Sequence, residues 1–132
     1  MRMSTIVALA SVSLASPCIA QDCADQTQSG LDQCANASYQ KADAALNSVY
    51  KQIVRRLKDD AATTKLLVQA QKAWIGYRDA ECTFATSASA GGSIYPMEFS
   101  ICLEAQTKKR TDDLRVYLKC EEGLLGCPVP AE

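Results

Sequence analysis

Apolar residues recur at Leu31, Ala35, Tyr39, Ala42, Leu46, Val49, Ile53 and Leu57, in steps of four and three. That spacing returns each side chain to one side of a 3.6-residue turn, so it predicts a helix over 31–57 with a single buried stripe. Ser29, with Asp32 three positions on, is the expected capping start. Arg55 with Asp59, and Arg56 with Asp60, are spaced as solvated pairs near its end. A second stripe, Leu67, Ala70, Trp74, Tyr77, Glu81 and Phe84 with Leu66 beside it, predicts a helix over 63–87 that Gly91 and Gly92 stop. A third helix is expected from Pro96, whose missing N–H is no loss in a first turn. Its stripe is Phe99, Leu103, Gln106 or Thr107, Arg110, Leu114 and Tyr117 or Leu118; Gly123 ends it and an extended tail follows over 124–132. No segment alternates with period two. The expected fold is all-α, a three-helix up-down-up bundle.

The first twenty residues read differently. Arg2 precedes an apolar, Ser/Ala-rich run over 3–14, then Pro17, Cys18, Ile19 and Ala20 lead to the first acid, Asp22. A positive start, a short apolar middle and small residues before a polar junction describe a secretory signal peptide, with cleavage expected after Ala20. Pro17 directly before Cys18 argues against a lipid-anchored variant. The run is short of the ~20 apolar residues that cross a bilayer, and no other segment is better suited, so no membrane span is expected in the mature chain. The mature protein is then one domain over 21–132, periplasmic or secreted.

Export changes the meaning of the seven cysteines. Losing Cys18 leaves an even set, Cys23, Cys34, Cys82, Cys102, Cys120 and Cys127, as a disulfide framework requires. In an up-down-up bundle Cys34, Cys82 and Cys102 fall at one end, Cys23 precedes that end, and Cys120 lies at the other. A 20-residue helix spans ~30 Å, whereas a bridge needs Cα atoms within about 7 Å. Cys120 therefore pairs with Cys127 and closes a short C-terminal tail. Three connectivities remain, of which Cys82–Cys102 is preferred because the two sit at similar heights on antiparallel neighbours, and Cys23–Cys34 then follows. Each unstrained loop contributes about 3 kcal/mol, a large share for a small domain.

Composition narrows the function. Hydrophobic residues are 48%, charged residues 22%, and the net charge is −1. That profile excludes a disordered tail and a basic nucleic-acid arm, so no nucleic-acid partner is expected. The chain has no histidine, which excludes Ser-His-Asp and Cys-His catalysis. There is no C-x-x-C, no phosphate-binding glycine loop and no calcium loop, so neither metal nor cofactor is expected. The acid pairs Asp59 with Asp60, Asp112 with Asp113, and Glu121 with Glu122 point about 100° apart on a helix and read as solvated faces. No catalytic residue emerges, and the protein is not expected to be an enzyme.

Two stretches remain as candidates. The loop over 87–95 is small and hydroxyl-rich, and the Cys82–Cys102 bridge would clamp its base. Gly91, Gly92, Ser93 and Tyr95 are the expected partner-binding residues, because a clamped loop loses less entropy on docking. The run over 74–82 is dense in aromatic and charged residues. Trp74 and Arg78 are four apart, share a helix side and are expected to stack. Tyr77, Asp79 and Glu81 lie between and beyond them, with Trp74 and Tyr77 expected in the core. Arg110, on the third stripe, is expected to pair with Glu81 or Asp43 inside the bundle, or to snorkel out of it.

Cys34 and Ala35, Tyr39, Ala42 and Asp43, Leu46 and Asn47, and Tyr50 open a wider pattern. It continues through Gln71-Lys72-Ala73-Trp74, Tyr77-Arg78-Asp79, Glu81-Cys82, Gly91-Gly92-Ser93, Cys102, Thr107, Arg110 and Leu114. This pattern resembles the LprI-type lysozyme-inhibitor family over about 23–120. The resemblance implies a small exported bacterial helical domain whose partner is lysozyme or another envelope protein. It carries over no inhibitory residues, and the tail closed by Cys120 and Cys127 is an addition to it. The alternative reading is a periplasmic partner-binding or toxin-neutralising module with no action on lysozyme.

Overall fold

The computed structural model describes residues 23–121, 123 and 125–131, and the expected signal peptide and Cys18 lie outside them. The described residues form three α-helices and no strand: α1 (Gln28–Arg56), α2 (Ala61–Ala85) and α3 (Tyr95–Leu118), with a 3₁₀ turn at Ser87–Ser89. All three expected bridges are present, with Cα–Cα separations of 5.8 Å for Cys23–Cys34, 5.6 Å for Cys82–Cys102 and 5.8 Å for Cys120–Cys127. No helix among the described residues is long and apolar enough to cross a membrane.

α1 buries Ala42, Leu46, Val49 and Ile53, and Leu57 just past its end, which is the predicted stripe. Its start differs from expectation. Thr27, not Ser29, is the cap, and its hydroxyl accepts from the Gly30 amide at 3.2 Å. Apolar periodicity marks buried turns and is blind to the cap, which lies before the first of them. The end differs too. The helix stops at Arg56, so the i,i+4 geometry that would pair Arg56 with Asp60 no longer applies. Arg56 instead donates to the Leu118 carbonyl at 3.0 Å, and Asp60 accepts from the Thr63 amide at 2.9 Å as the cap of α2. Asp59 lies 4.0 Å from Lys58.

α3 begins one residue before Pro96 and turns Leu103, Thr107, Thr111 and Leu114 inward. The Thr111 hydroxyl donates to the Thr107 carbonyl at 2.8 Å, so a polar side chain is accommodated within the helix's own backbone. α1 and α3 run parallel and pack closely along their length, while the backbone of α2 stands further out and hardly approaches α1.

α2 corrects the second predicted stripe. Only Arg78 and Cys82 are buried on it, with Leu67, Gln71, Trp74 and Glu81 half-buried. Leu66, Ala70, Tyr77 and Phe84 face solvent. Tyr77 is therefore not a core residue. The Cys82–Cys102 bridge fixes which side of α2 turns inward, and that side is not the more apolar one. α2 also ends at Ala85, before the glycines, because Thr86 and the 3₁₀ turn take over its last carbonyls.

The tail is not extended as expected. α3 ends at Leu118, and the tail folds back through turns and a bend to bury Val129. Cys120 and Val129 pack with Leu46, Val49, Ile53, Leu57 and Leu114 in the main core cluster. The tail bridge thus closes the end of the core that α2 leaves open.

Hydrogen bonds from Thr63 hold the Asp60 carboxyl below its ordinary value of 3.8, and bonds from Thr27 do the same for Asp25. A lowered folded-state value means that stability is fully present above 3.8 and is lost as pH falls through the lowered value. Asp60→Ala should lower the thermal midpoint at pH 7. The difference from the parent should vanish in acid, as read by circular dichroism melts across pH 2–7 (the lower limit being about two units under an ordinary aspartate).

Candidate functional site

The dense run on α2 forms a clasp across all three helices. Arg78 is 7% exposed. Its Nε and Nη2 donate to Asp79 Oδ1, each at 2.8 Å, and its Nη1 lies 4.0 Å from Asp43 Oδ1 on α1. Its guanidinium carbon is 5.6 Å from the Tyr39 ring centre and 5.1 Å from that of Trp74. Arg110 on α3 lies 5.9 Å from the same Trp74 ring and donates from Nε to Gln71 Oε1 at 3.1 Å. Trp74 and Arg78 stack as expected. The partners of Arg110 are Gln71 and Trp74, not Glu81 or Asp43. Asp43 is occupied by Arg78, and the phase of α2 brings Gln71 rather than Glu81 to Arg110. Each guanidinium–ring contact contributes ~0.5–2 kcal/mol, more as it is desolvated.

The clasp leaves a cleft of about 270 Å³ between α1 and α2, lined by Asp43, Asn47, Tyr50, Lys72, Trp74 and Arg78 among others. Tyr77 and Asp79 lie on its outer side, and Glu81 is half-buried one turn on. No group of three His, Cys, Asp or Glu among the described residues is arranged to hold a metal ion.

One turn beyond Arg78, Cys82 is fully buried and bridges to Cys102 at the base of the loop. The loop is knit by its own backbone. The Thr86 amide and hydroxyl both donate to the Cys82 carbonyl, at 3.1 and 2.7 Å. The Ser89 amide and hydroxyl both reach the Thr86 carbonyl, at 3.1 and 3.0 Å. The Gly92 amide donates to Ser89 at 2.9 Å and the Tyr95 amide to Gly92 at 3.3 Å. Gly91 has φ +80°, a conformation that excludes most side chains, and a Cβ on Gly92 would meet the Ser89 carbonyl at 3.1 Å.

Of the four loop residues picked from the sequence, Gly91, Gly92 and Ser93 come together, exposed, at the tip. Tyr95 is half-buried as the first residue of α3, with its ring stacked on Phe99 at 5.6 Å between centres. Ile94, between Ser93 and Tyr95, is an exposed apolar side chain at the tip. Its signal in the sequence is a large residue directly after a run of small ones.

Arg78→Ala should destabilise the protein by about 2–3 kcal/mol, through the lost stem packing and two ring contacts. Arg78→Lys should cost less, because it keeps the charge and loses the flat stacking surface. Asp43 and Asp79 stay hydrated, so no buried orphan charge adds to the loss. Urea unfolding followed by the fluorescence of Trp74, the one tryptophan, checks both.

Comparison with known proteins places this geometry. The family model described as lysozyme inhibitor LprI matches residues 18–114, which takes in α1, α2, the tip and most of α3. An uncharacterized protein of Rhizobium meliloti is 40% identical over 107 residues, 73% of this chain and 77% of that one. The uncharacterized protein YecT of Escherichia coli is 28% identical over 105 residues, 70% of this chain and 65% of that one. A crystal structure of a DUF1311 family protein from Pseudomonas putida superposes with a TM-score of 0.62 at 28% identity, covering 70% of this chain and 91% of that one. With the clasp, the clamped tip and the three-helix frame in place over the matched span, the chain belongs to the LprI lysozyme-inhibitor family.

Proposed function

We propose that the protein is an exported lysozyme inhibitor that acts by contact and not by turnover, occluding the active-site cleft with the tip formed by Gly91, Gly92, Ser93 and Ile94. The observation that carries this reading is the tip itself: exposed, free of bulky charge, and held at its base by the buried Cys82–Cys102 bridge. Its hydrogen bonds form before any partner arrives, so docking costs less ordering than a loose loop of the same length. A lysozyme cleft is shaped for a polysaccharide and holds two carboxyl groups. The Ser93 hydroxyl and the exposed backbone at Gly91 supply polar contact of the kind those groups accept. Ile94 adds an apolar edge, and Tyr95, resting on Phe99, supports the tip from behind. With a net charge of −1, long-range steering contributes little, and shape carries the interaction. Three disulfides favour the periplasm or the exterior as the place of action.

The names of the matched relatives carry no activity, which favours one second reading: the same tip serves another envelope protein or an incoming toxin. Affinity capture from envelope extract separates the two, since it presumes no partner.

Titration of the oxidised protein against several lysozyme types should abolish muramidase activity at micromolar excess. Ser93→Arg should weaken inhibition at least tenfold, and Tyr95→Ala by a smaller factor. Full muramidase activity throughout would remove the lysozyme reading. Inhibition that neither substitution weakens would move the contact away from the tip.

A further inference from the structure

The outward side of α2 carries a second pattern. Leu66, Ala70, Ala73, Tyr77, Ala80 and Phe84 follow one another in steps of four and three, and every one of them is exposed. Their large members are far into solvent: Leu66 at 64%, Tyr77 at 57% and Phe84 at 76%. The row runs ~27 Å along the helix and contains no charge. Gln69, Gly76 and Thr83 border it, and a Cβ at Gly76 would meet nothing within 4 Å. Such a 3.5-residue repeat is the form in which one helix meets another. Within its own bundle α2 does not use it.

The order of side chains says what fits. When a second α2 is laid antiparallel about position 75, Leu66 meets Phe84, Ala70 meets Ala80, and Ala73 meets Tyr77, at both ends alike. A parallel alignment instead sets Tyr77 on Tyr77 and Phe84 on Phe84, with alanine on alanine between them. Charge agrees. Lys65 and Lys72 lie in the first half of the helix, and the second half holds Asp79 and Glu81 with Arg78, which pairs with Asp79 and leaves Glu81 as the net acidic charge. Antiparallel alignment sets the cationic half against a half of net negative charge, and parallel alignment sets like against like. A receiving groove is present as well. Beside Leu66, a space of about 230 Å³ is lined by Ile53, Leu67, Ala70, Tyr117 and Val129 among others. The antiparallel register delivers Phe84 of the second copy to its rim.

We propose that two copies of this chain associate through α2 as an antiparallel, two-fold symmetric dimer, with Phe84 of each entering the groove beside Leu66 of the other. Covering the row on both copies removes on the order of 1,200 Å² from water, the low end of the range for stable interfaces. A contact at that end of the range suits a reversible dimer. Two-fold symmetry makes the contact self-closing, so it stops at two. It sends the two tips to opposite ends and does not depend on what the tips bind.

Sedimentation equilibrium of the purified, oxidised protein tests it. The expected result is a monomer–dimer equilibrium with a micromolar dissociation constant. Phe84→Asp and Ala73→Arg should each weaken it at least tenfold while circular dichroism keeps the helical signal, since both sites are on the surface. Gly76→Cys, next to the two-fold axis, should crosslink dimers under mild oxidation, whereas Ser48→Cys on α1 should not. A protein that stays monomeric at several hundred micromolar overturns the proposal. So does a dimer indifferent to both substitutions, or one that crosslinks through Ser48→Cys and not Gly76→Cys.

Discussion

α2 is held to the rest of the protein by a disulfide and a stacked guanidinium, and not by an apolar stripe. Cys82 and Arg78, its two buried residues, are its deepest points of attachment, one helical turn apart, with Gln71 bonded to Arg110 and Leu67 and Trp74 resting on the core beside them. The bridge ties α2 to α3, while Arg78 lies against Tyr39 of α1 and Trp74 of its own helix. α1 and α3 carry the main apolar core between them, and the folded-back tail completes it through Cys120 and Val129. An extended planar cation between two rings acts as a spacer as well as a contact, so α2 stands off from α1 and leaves an open cleft between them.

This arrangement separates two surfaces that a tightly packed bundle would merge. The tip between α2 and α3 is fixed at its base by the buried bridge and shaped by bonds within its own backbone, so its order does not rest on a partner. The outward side of α2 has been relieved of any part in the core, and it carries an apolar row instead. Reduction would act on both at once. With the Cys82–Cys102 bridge open, the tip loses its anchor and α2 keeps the Arg78 clasp, the Arg110–Gln71 bond and the core contacts of Leu67 and Trp74. The protein's form is thus linked to an oxidising compartment more closely than its core alone would require.

How much was legible depended on which force acted at each place. α1 was, since its stripe is apolar and packs as apolar stripes do. The bridges were, because helix length and the reach of a disulfide leave few pairings. α2 was not, because hydrophobicity alone turns Leu66, Ala70, Tyr77 and Phe84 inward. Yet Cys82 has to face Cys102, and stepping back from it by turns gives Arg78, Trp74 and Gln71, the side found inward. The bridge carried the phase, and the apolar count overrode it. The caps Thr27 and Asp60 were missed because they precede the periodic positions, and Val129 because a few residues after a turn hold no period. Gly91, Gly92 and Ser93 stand exposed at the tip, since small residues between two clamped helix ends have nowhere else to go; Tyr95 turns back onto Phe99, a stacking that is invisible to loop reasoning.

Hydrogen exchange on the Cys82→Ser, Cys102→Ser double variant probes the attachment of α2 most directly. The expected result is selective: amides of α2 and of the tip lose protection, while α1 and the half of α3 facing it retain theirs. Equal loss across all three helices, or full protection of α2 without the bridge, would contradict a helix whose hold depends on that bridge.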